Sequence, residues 1–194
     1  MTLGGAVLAG GQSRRMGRDK AFIEINGRPL LQVAVDALTS AGADPIIVVG
    51  GDDDGISRLG LQHVADLWPG EGPLGAIITA LNAVEADLVA VLSCDLIAAS
   101  PLAVRTVAGA IGTSDVAVPV VEGRSQWLHS VWRRSSQKHL DTAFAAGIRA
   151  PRLAVEGLAI THVLDGDPCW YHDADRPEDL PARGLRSESI QEDS

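Results

Sequence analysis

The chain has 194 residues with 25 acidic and 16 basic side chains, and its formal net charge of -9 argues against binding to nucleic acid or to an anionic membrane, because both would repel it. A hydrophobic fraction of 46% and a charged fraction of 21% are typical of a globular protein, and the length favours one domain. No segment has the apolar length of a membrane span and no basic region precedes the first apolar run, so we expect a cytoplasmic protein without a signal peptide.

The two cysteines, Cys94 and Cys169, lie far apart and form no CxxC pair. This spacing argues against a disulfide framework and against a zinc site. Free cysteine behaves as a small hydrophobic residue, so we interpret both side chains as apolar filling of the core.

Short runs rich in valine and isoleucine predict the first strands, at 6–10, 45–51, 87–95 and 115–123. Apolar residues at helical spacing between these runs predict helices over 28–42, 72–86 and 100–112. Strands alternating with helices predict an α/β fold: a single-domain, open, mostly parallel twisted sheet, Rossmann-like, with helices on both faces. In such sheets ligands bind beyond the carboxyl ends of the strands.

The pattern changes after residue 123. The segment "RSQWLHSVWRR" at 124–134 predicts one strand, in which alternation would place Trp127 and Trp132 on opposite faces. Further elements are predicted as a helix over 135–147, a strand over 158–165 and a closing helix over 175–184. We expect one domain over 1–183 and a loose polar tail over 184–194.

The first predicted strand runs into a loop, "GQSRRMGRDK", which holds four of the 16 basic residues: Arg14, Arg15, Arg18 and Lys20. The glycine pair at 10 and 11 allows a sharp turn and brings backbone N–H groups against an anion. The loop matches neither a Walker A motif nor a dinucleotide fingerprint. Two interpretations stay open: a solvated loop, or a site where amides hold a polyphosphate that Arg14 and Lys20 neutralise.

The segment "LAGGQSRRMGRDKAFIEINGRPLL" closely resembles the signature of the molybdenum cofactor guanylyltransferases. The resemblance continues through "DLWPGEGPLGAI", "LSCDL", "QWLHSVW" and "DADRPEDL", and so covers nearly the whole chain except its tail. It implies a nucleotidyltransferase with a glycosyltransferase-A-like domain, the nucleotide-diphospho-sugar transferase type. The implied reaction transfers GMP from GTP to the phosphate of molybdopterin, releases pyrophosphate and forms the guanine dinucleotide cofactor.

The resemblance also implies roles for individual residues. Catalytic roles fall to Arg14, Lys20 and Asp95, of which the two cations bind phosphates. The nucleotide would contact a second set of residues: Leu8, Ala9, Gly10, Gly11, Lys20, Gly50, Asp66, Gly72 and Asp95. Mg²⁺ is the implied cofactor, since joining two phosphates needs a hard divalent cation, and its candidate ligands are Asp95, Asp173 and Asp175.

The chain departs from the guanylyltransferase pattern near its end. Asp173 and Asp175 stand where that family tends to carry asparagines, and cytidylyltransferase relatives more often have aspartates there. The glycine pair that ends in Gly11 favours GTP, because the cytidylyltransferases read LAAG where this chain reads LAGG. A CTP-dependent cytidylyltransferase, or another small-molecule nucleotidyltransferase, therefore remains the alternative enzyme.

Structural interpretations also stay open for several of these residues. Asp66 suits a turn before Pro69, Asp173 and Asp175 suit a helix cap, and His129 suits either the core or the acceptor pocket. A noncatalytic carrier of nucleotide or cofactor is the alternative outside enzymology. We expect GTP and molybdopterin as ligands, transient contacts with molybdoenzymes or cofactor-biosynthesis proteins, and no nucleic acid or membrane partner.

Overall fold

The computed structural model describes residues 1–10, 19–174 and 179. In chain order, its strands are β1 (Leu3–Leu8), β2 (Glu24–Ile25), β3 (Arg28–Pro29), β4 (Ile46–Val49), β5 (His63–Val64), β6 (Leu88–Ser93), β7 (Val116–Val121), β8 (Arg124–Ser125), β9 (Val131–Arg133) and β10 (Ile160–Val163). Its α-helices are α1 (Leu30–Ala41), α2 (Asp53–Arg58), α3 (Pro73–Ala83), α4 (Pro101–Ala110), α5 (Gln137–Ala145) and α6 (Pro151–Ala154).

The main sheet has eight strands in the described part of the chain. Seven lie in the order β10-β7-β9-β6-β1-β4-β5, and β8 pairs with β7. The pairs β6–β1, β1–β4, β4–β5 and β10–β7 are parallel, whereas β9 is antiparallel to both β6 and β7. The predicted open and mostly parallel sheet is therefore confirmed.

Helices cover both faces of the sheet because its central strands are apolar on both sides. In β1, Val7 packs in a core layer that contains Leu31 of α1 and Val104 of α4. Ala6 packs in the opposite layer with buried residues of α3 and α5. The alternation of neighbouring residues between two apolar layers confirms that the short continuous runs are strands buried on both faces.

The segment 124–134 is not the single strand that its alternating pattern predicts. It folds as β8, a 3₁₀ turn at Trp127–His129, and β9. Local bonds stabilise the turn, because His129 N donates to Gln126 O at 3.0 Å and Ser130 Oγ donates to Trp127 O at 2.6 Å. Trp127 and Trp132 consequently do not lie on opposite faces: their ring centroids are 6.2 Å apart, in one core layer.

The prediction that both cysteines fill the apolar core is confirmed for only one of the two. Cys94 is buried in the core as predicted, but Cys169 is exposed, in a 3₁₀ turn at Pro168–Tyr171. The predicted closing helix at 175–184 and the predicted tail at 184–194 lie outside the described residues, apart from Asp179. Within the described ranges, no helix combines the length and apolar character needed to cross a membrane.

Candidate active site

Four parallel strands end side by side at one edge of the sheet. Leu8 of β1 lies between Val49 of β4 and Ser93 of β6, and Val49 in turn lies beside Val64 of β5. The backbone stays paired just beyond these ends, because Ala9 N donates to Val49 O at 2.9 Å and Cys94 N donates to Leu8 O at 3.1 Å. The segments that follow these strands are therefore held together where α/β sheets bind ligands.

Lys20 and Asp95 form an ion pair at this edge. Lys20 Nζ lies 3.1 Å from Asp95 Oδ2, and the two side chains are 15% and 14% exposed. Lys20 opens a 3₁₀ turn whose cap is Asp19, since Asp19 Oδ1 accepts a hydrogen bond from Ala21 N at 3.0 Å. Ser93 Oγ donates a hydrogen bond to the other oxygen of Asp95. The pair is thus partly accessible, and both carboxylate oxygens have partners.

Asp66 lies beyond β5, at the same edge. A Cβ placed on Gly10 would lie 3.8 Å from Asp66 Oδ2, so this oxygen faces the backbone that follows β1. Gly50 separates the two, with a φ of +70° that favours glycine. A Cβ on Gly50 would lie 3.2 Å from Gly10 Cα, so a larger residue at position 50 would crowd the backbone at Gly10.

The other oxygen of Asp66 stabilises its own turn. Asp66 Oδ1 accepts a hydrogen bond from Trp68 N at 3.0 Å and another from Thr79 Oγ1 at 3.2 Å. The turn interpretation of Asp66 and its predicted contact with a nucleotide are therefore compatible, because each uses a different oxygen.

The loop after Asp66 is tied to the region following α5. Gly72, with a φ of +94°, precedes α3, and Leu74 N donates to Arg149 O at 3.4 Å. Arg149 Nε lies 2.7 Å from Glu71 Oε2, and its guanidinium stands 3.9 Å above the ring of Phe144. These contacts hold the loop from its solvent side.

The final described segment lies against the residues that follow β6. Ala174 N donates to Asp95 O at 2.8 Å, and Asp173 pairs with Leu96 as an isolated antiparallel bridge. Asp173 Oδ1 lies 3.3 Å from Nε2 of the buried His129, within ion-pair distance but without hydrogen-bond alignment. Asp173 is therefore brought close to the backbone of Asp95, with one oxygen directed toward His129.

Cys94 directly precedes Asp95 but does not supply a thiolate. Burial, reinforced by the nearby Asp95 carboxylate, raises the pKa of the Cys94 thiol far above neutrality. Burial likewise raises the pKa of Tyr171, whose ring centroid lies 6.0 Å from that of His129. Both groups therefore stay protonated and uncharged at pH 7. Because the Cys94 thiol is neutral, the carboxylate oxygens of Asp95 are the charged metal donors that the pair Cys94–Asp95 offers.

The predicted site residues thus fall into two sets. The described ones at or next to the carboxyl edge of the sheet are Leu8, Ala9, Gly10, Lys20, Gly50, Asp66, Asp95 and Asp173. Gly72 is described too, but it lies at the start of α3, beside Arg149. Gly11, Arg14 and Asp175 lie outside the described residues. Ser93 and Thr79 were not singled out by the sequence analysis, although a lone threonine inside the apolar run "PLGAIITAL" is a usable signal.

Comparison with known proteins identifies the family. The family model described as "MobA-like NTP transferase domain" matches residues 5–157. A probable molybdenum cofactor guanylyltransferase from Mycobacterium avium is 33% identical over 188 residues, which cover 94% of this chain and 95% of that protein. A probable molybdenum cofactor guanylyltransferase from Opitutus terrae is 43% identical over 97 residues, 48% of each chain.

A solved structure shares the fold. Molybdopterin-guanine dinucleotide biosynthesis protein A from Archaeoglobus fulgidus superposes with a TM-score of 0.74 at 21% identity, covering 93% of this chain and 95% of its own. The family match spans most of the described sheet, and the M. avium relative extends the similarity over nearly the full length. The chain belongs to the family of MobA-like NTP transferases, which confirms its predicted kinship with the molybdenum cofactor guanylyltransferases.

Proposed function

We propose that this chain transfers GMP from GTP to the phosphate of a molybdopterin-type cofactor. An oxygen of that phosphate attacks the α-phosphorus of GTP, and the bond from the α-phosphorus to the bridging oxygen breaks. Pyrophosphate leaves with the electron pair, and the product is a guanine dinucleotide. The attacking phosphate is already an anion, so the chain needs no general base, and positioning with charge neutralisation accounts for catalysis.

The observation that carries this proposal is the Lys20–Asp95 pair at the common edge of β1 and β6, with 3.1 Å between Nζ and Oδ2. The ammonium of Lys20 can exchange this carboxylate contact for an oxygen of the triphosphate, and its charge then opposes the charge that develops on pyrophosphate. Backbone amides from Ala9 to Gly11 and the guanidinium of Arg14 supplement it. The guanylyl names of the relatives support GTP as the donor.

The donor set fits Mg²⁺. Among the described residues no group of three or more His, Cys, Asp and Glu side chains is arranged to hold a metal, and Mg²⁺ does not need one. It is commonly bound through one or two carboxylates together with substrate phosphates. Asp95 would hold the ion, with Asp173 or Asp175 as a second carboxylate, and the bound ion would supply charge neutralisation at phosphate oxygens.

The test is pyrophosphate release by the purified chain supplied with Mg²⁺, molybdate-loaded molybdopterin and either GTP or CTP. We expect release with GTP that depends on molybdopterin. Release with CTP alone would favour the cytidylyltransferase that the aspartates at 173 and 175 suggest. Nucleotide binding without release under any combination would favour a carrier. The cytoplasm stays the predicted location of the reaction.

A further inference from the structure

Thr79 is a buried polar residue in an otherwise apolar stretch of α3. The central part of α3 is buried without interruption from Leu74 to Leu81, and Thr79 is the residue of that stretch with a hydrogen-bonding side chain. It is only 1% exposed. A buried hydroxyl is costly unless it has partners, so its contacts indicate why threonine occupies this position.

Two of the three contacts of Thr79 Oγ1 go to the loop that contains Asp66. The hydroxyl accepts a hydrogen bond from Leu67 N at 3.2 Å, and it lies 3.2 Å from Asp66 Oδ1 as a donor. The third contact is to Gly75 O at 3.0 Å, one turn earlier in the same helix, and it competes with Asp66 Oδ1 for the single hydroxyl hydrogen. Any helical threonine can make that third bond, whereas the loop contacts are particular to this position.

These contacts separate the two oxygens of Asp66. Oδ1 is held by Thr79 Oγ1 and by Trp68 N, while Oδ2 faces the backbone at Gly10. A carboxylate fixed through one oxygen presents the other in a constant direction. The direction here is toward the loop that follows β1, where the proposed function places the nucleotide.

We propose that Thr79 is a positioning residue for nucleotide binding, which orients Asp66 so that Oδ2 accepts a hydrogen bond from the nucleoside. The partner is a hydrogen-bond donor, either a ribose hydroxyl or the exocyclic amine of the base. This inference rests on the proposed function, because it takes the edge beside Gly10 as the nucleotide site. Thr79 itself does not contact substrate.

The inference predicts an effect on binding with little effect on chemistry. Loss of the hydroxyl frees Asp66 to rotate and leaves Leu67 N without its acceptor, which loosens the loop. The Lys20–Asp95 pair lies on other segments, and Ser93, which donates a hydrogen bond to Asp95, belongs to β6. Removal of an interaction made equally in the ground state and the transition state raises KM and leaves kcat unchanged.

The experiment compares three variants: Thr79→Val, Thr79→Ser and the control Thr39→Val. For each we measure the KM for GTP and the kcat of pyrophosphate release, and the Kd for GTP by calorimetry. Thr39 Oγ1 donates to Val35 O within α1, at 2.9 Å, so the control loses an intrahelical bond. We expect Thr79→Val to raise KM and Kd about tenfold with kcat within about twofold, as a hydrogen bond to a charged group would. Thr79→Ser and Thr39→Val should both resemble the wild type.

Analogues identify the donor on the nucleoside. If the base amine is the partner of Asp66, Thr79→Val should weaken GTP but not inosine triphosphate, which lacks that amine. If the ribose is the partner, the variant should lose its effect with the corresponding deoxynucleotide. An equal effect of Thr79→Val on all analogues would show that Asp66 is not the route, and would overturn the inference.

Two further results keep the test decisive. If Thr79→Val does not fold, Thr79→Ala serves in its place, because alanine is a good helix former, and it should show the same loss of GTP affinity. A Kd for GTP within about twofold of the wild-type value in either folded variant would contradict the inference. The proposed function fails separately, if the wild type releases no pyrophosphate from GTP and molybdopterin. Should the wild type prefer CTP, the same comparison is made with CTP.

Discussion

Two aspartates at the same edge of the sheet are held in contrasting ways. Asp95, after β6, contacts a charged partner, Lys20, through one oxygen and the hydroxyl of Ser93 through the other. Among the described residues, Asp66, after β5, accepts hydrogen bonds from neutral donors, through Oδ1. A carboxylate paired with a cation suits a site where charges are exchanged with a phosphate or a metal. A carboxylate fixed by neutral groups suits recognition of a donor on the ligand. We therefore propose that the Asp95 region determines turnover and that the Asp66 region determines nucleotide affinity.

The largest effect should come from Asp95→Asn, which keeps the shape of the side chain and removes its charge. We expect kcat for pyrophosphate release to fall by ~10³ or more, because the amide neither holds Mg²⁺ nor balances Lys20. Asp87→Asn is the matched control, because Asp87 directly precedes the first residue of β6, at the end of the strand away from Asp95. Its Oδ2 accepts a hydrogen bond from Thr2 N at 2.7 Å. Full activity of the Asp95 variant would remove the basis for the contrast.

Lys20→Met should follow, with a fall in kcat of ~10², because it removes one preorganised charge from the transition state. Lys138→Met, at an exposed position of α5, serves as the control for loss of a lysine. A variant in which only KM changes would show that Lys20 binds the triphosphate without favouring its transition state.

Asp66→Asn separates the two regions most sharply. We expect KM for the nucleotide to rise about tenfold with kcat little changed, because a charged acceptor becomes a neutral one away from the reacting phosphates. Steady-state kinetics over a range of GTP concentrations give both constants. A fall in kcat comparable to that of Asp95→Asn would place both aspartates in the chemical step and end the distinction.

The smallest effect is expected from Glu71→Gln, at the solvent side of the Asp66 loop. The Arg149 and Glu71 side chains are 39% and 53% exposed, and exposed ion pairs contribute little. KM should change by less than about threefold, well below the effect of the buried Thr79 hydroxyl. A larger change in a kinetic assay at low salt, where an exposed ion pair is screened least, would mean that the loop is held mainly by the Arg149–Glu71 pair on its solvent side.

The sequence predicts the shared position of Lys20 and Asp95 because both follow central strands. Apolar runs identify β1 and β6, and parallel strands bring their carboxyl ends to one edge, so no side-chain detail is needed to place the two residues together. The prediction of a single strand at 124–134 is wrong for the opposite reason. The period of two in this segment is compatible with a strand, but a hydroxyl bond from Ser130 to Trp127 stabilises a turn that hydrophobic spacing does not encode.

The contact between Thr79 and Asp66 also lies beyond sequence reasoning. They lie thirteen positions apart in the sequence, on a loop and on α3, and their hydrogen bond depends on how α3 packs against that loop. The threonine in the apolar run "PLGAIITAL" is visible in the sequence, but its partner is not. Pattern predicts which residues reach an edge, while the pairing of individual oxygens depends on packing.

A crystal structure with bound GTP tests the division between the two aspartates most directly. We predict that Lys20 Nζ contacts a phosphate oxygen while Asp66 Oδ2 accepts a hydrogen bond from the nucleoside, with Oδ1 still on Thr79. A nucleotide whose phosphates lie at Asp66, or which binds away from the edge formed by β1, β4 and β6, would contradict the assignment.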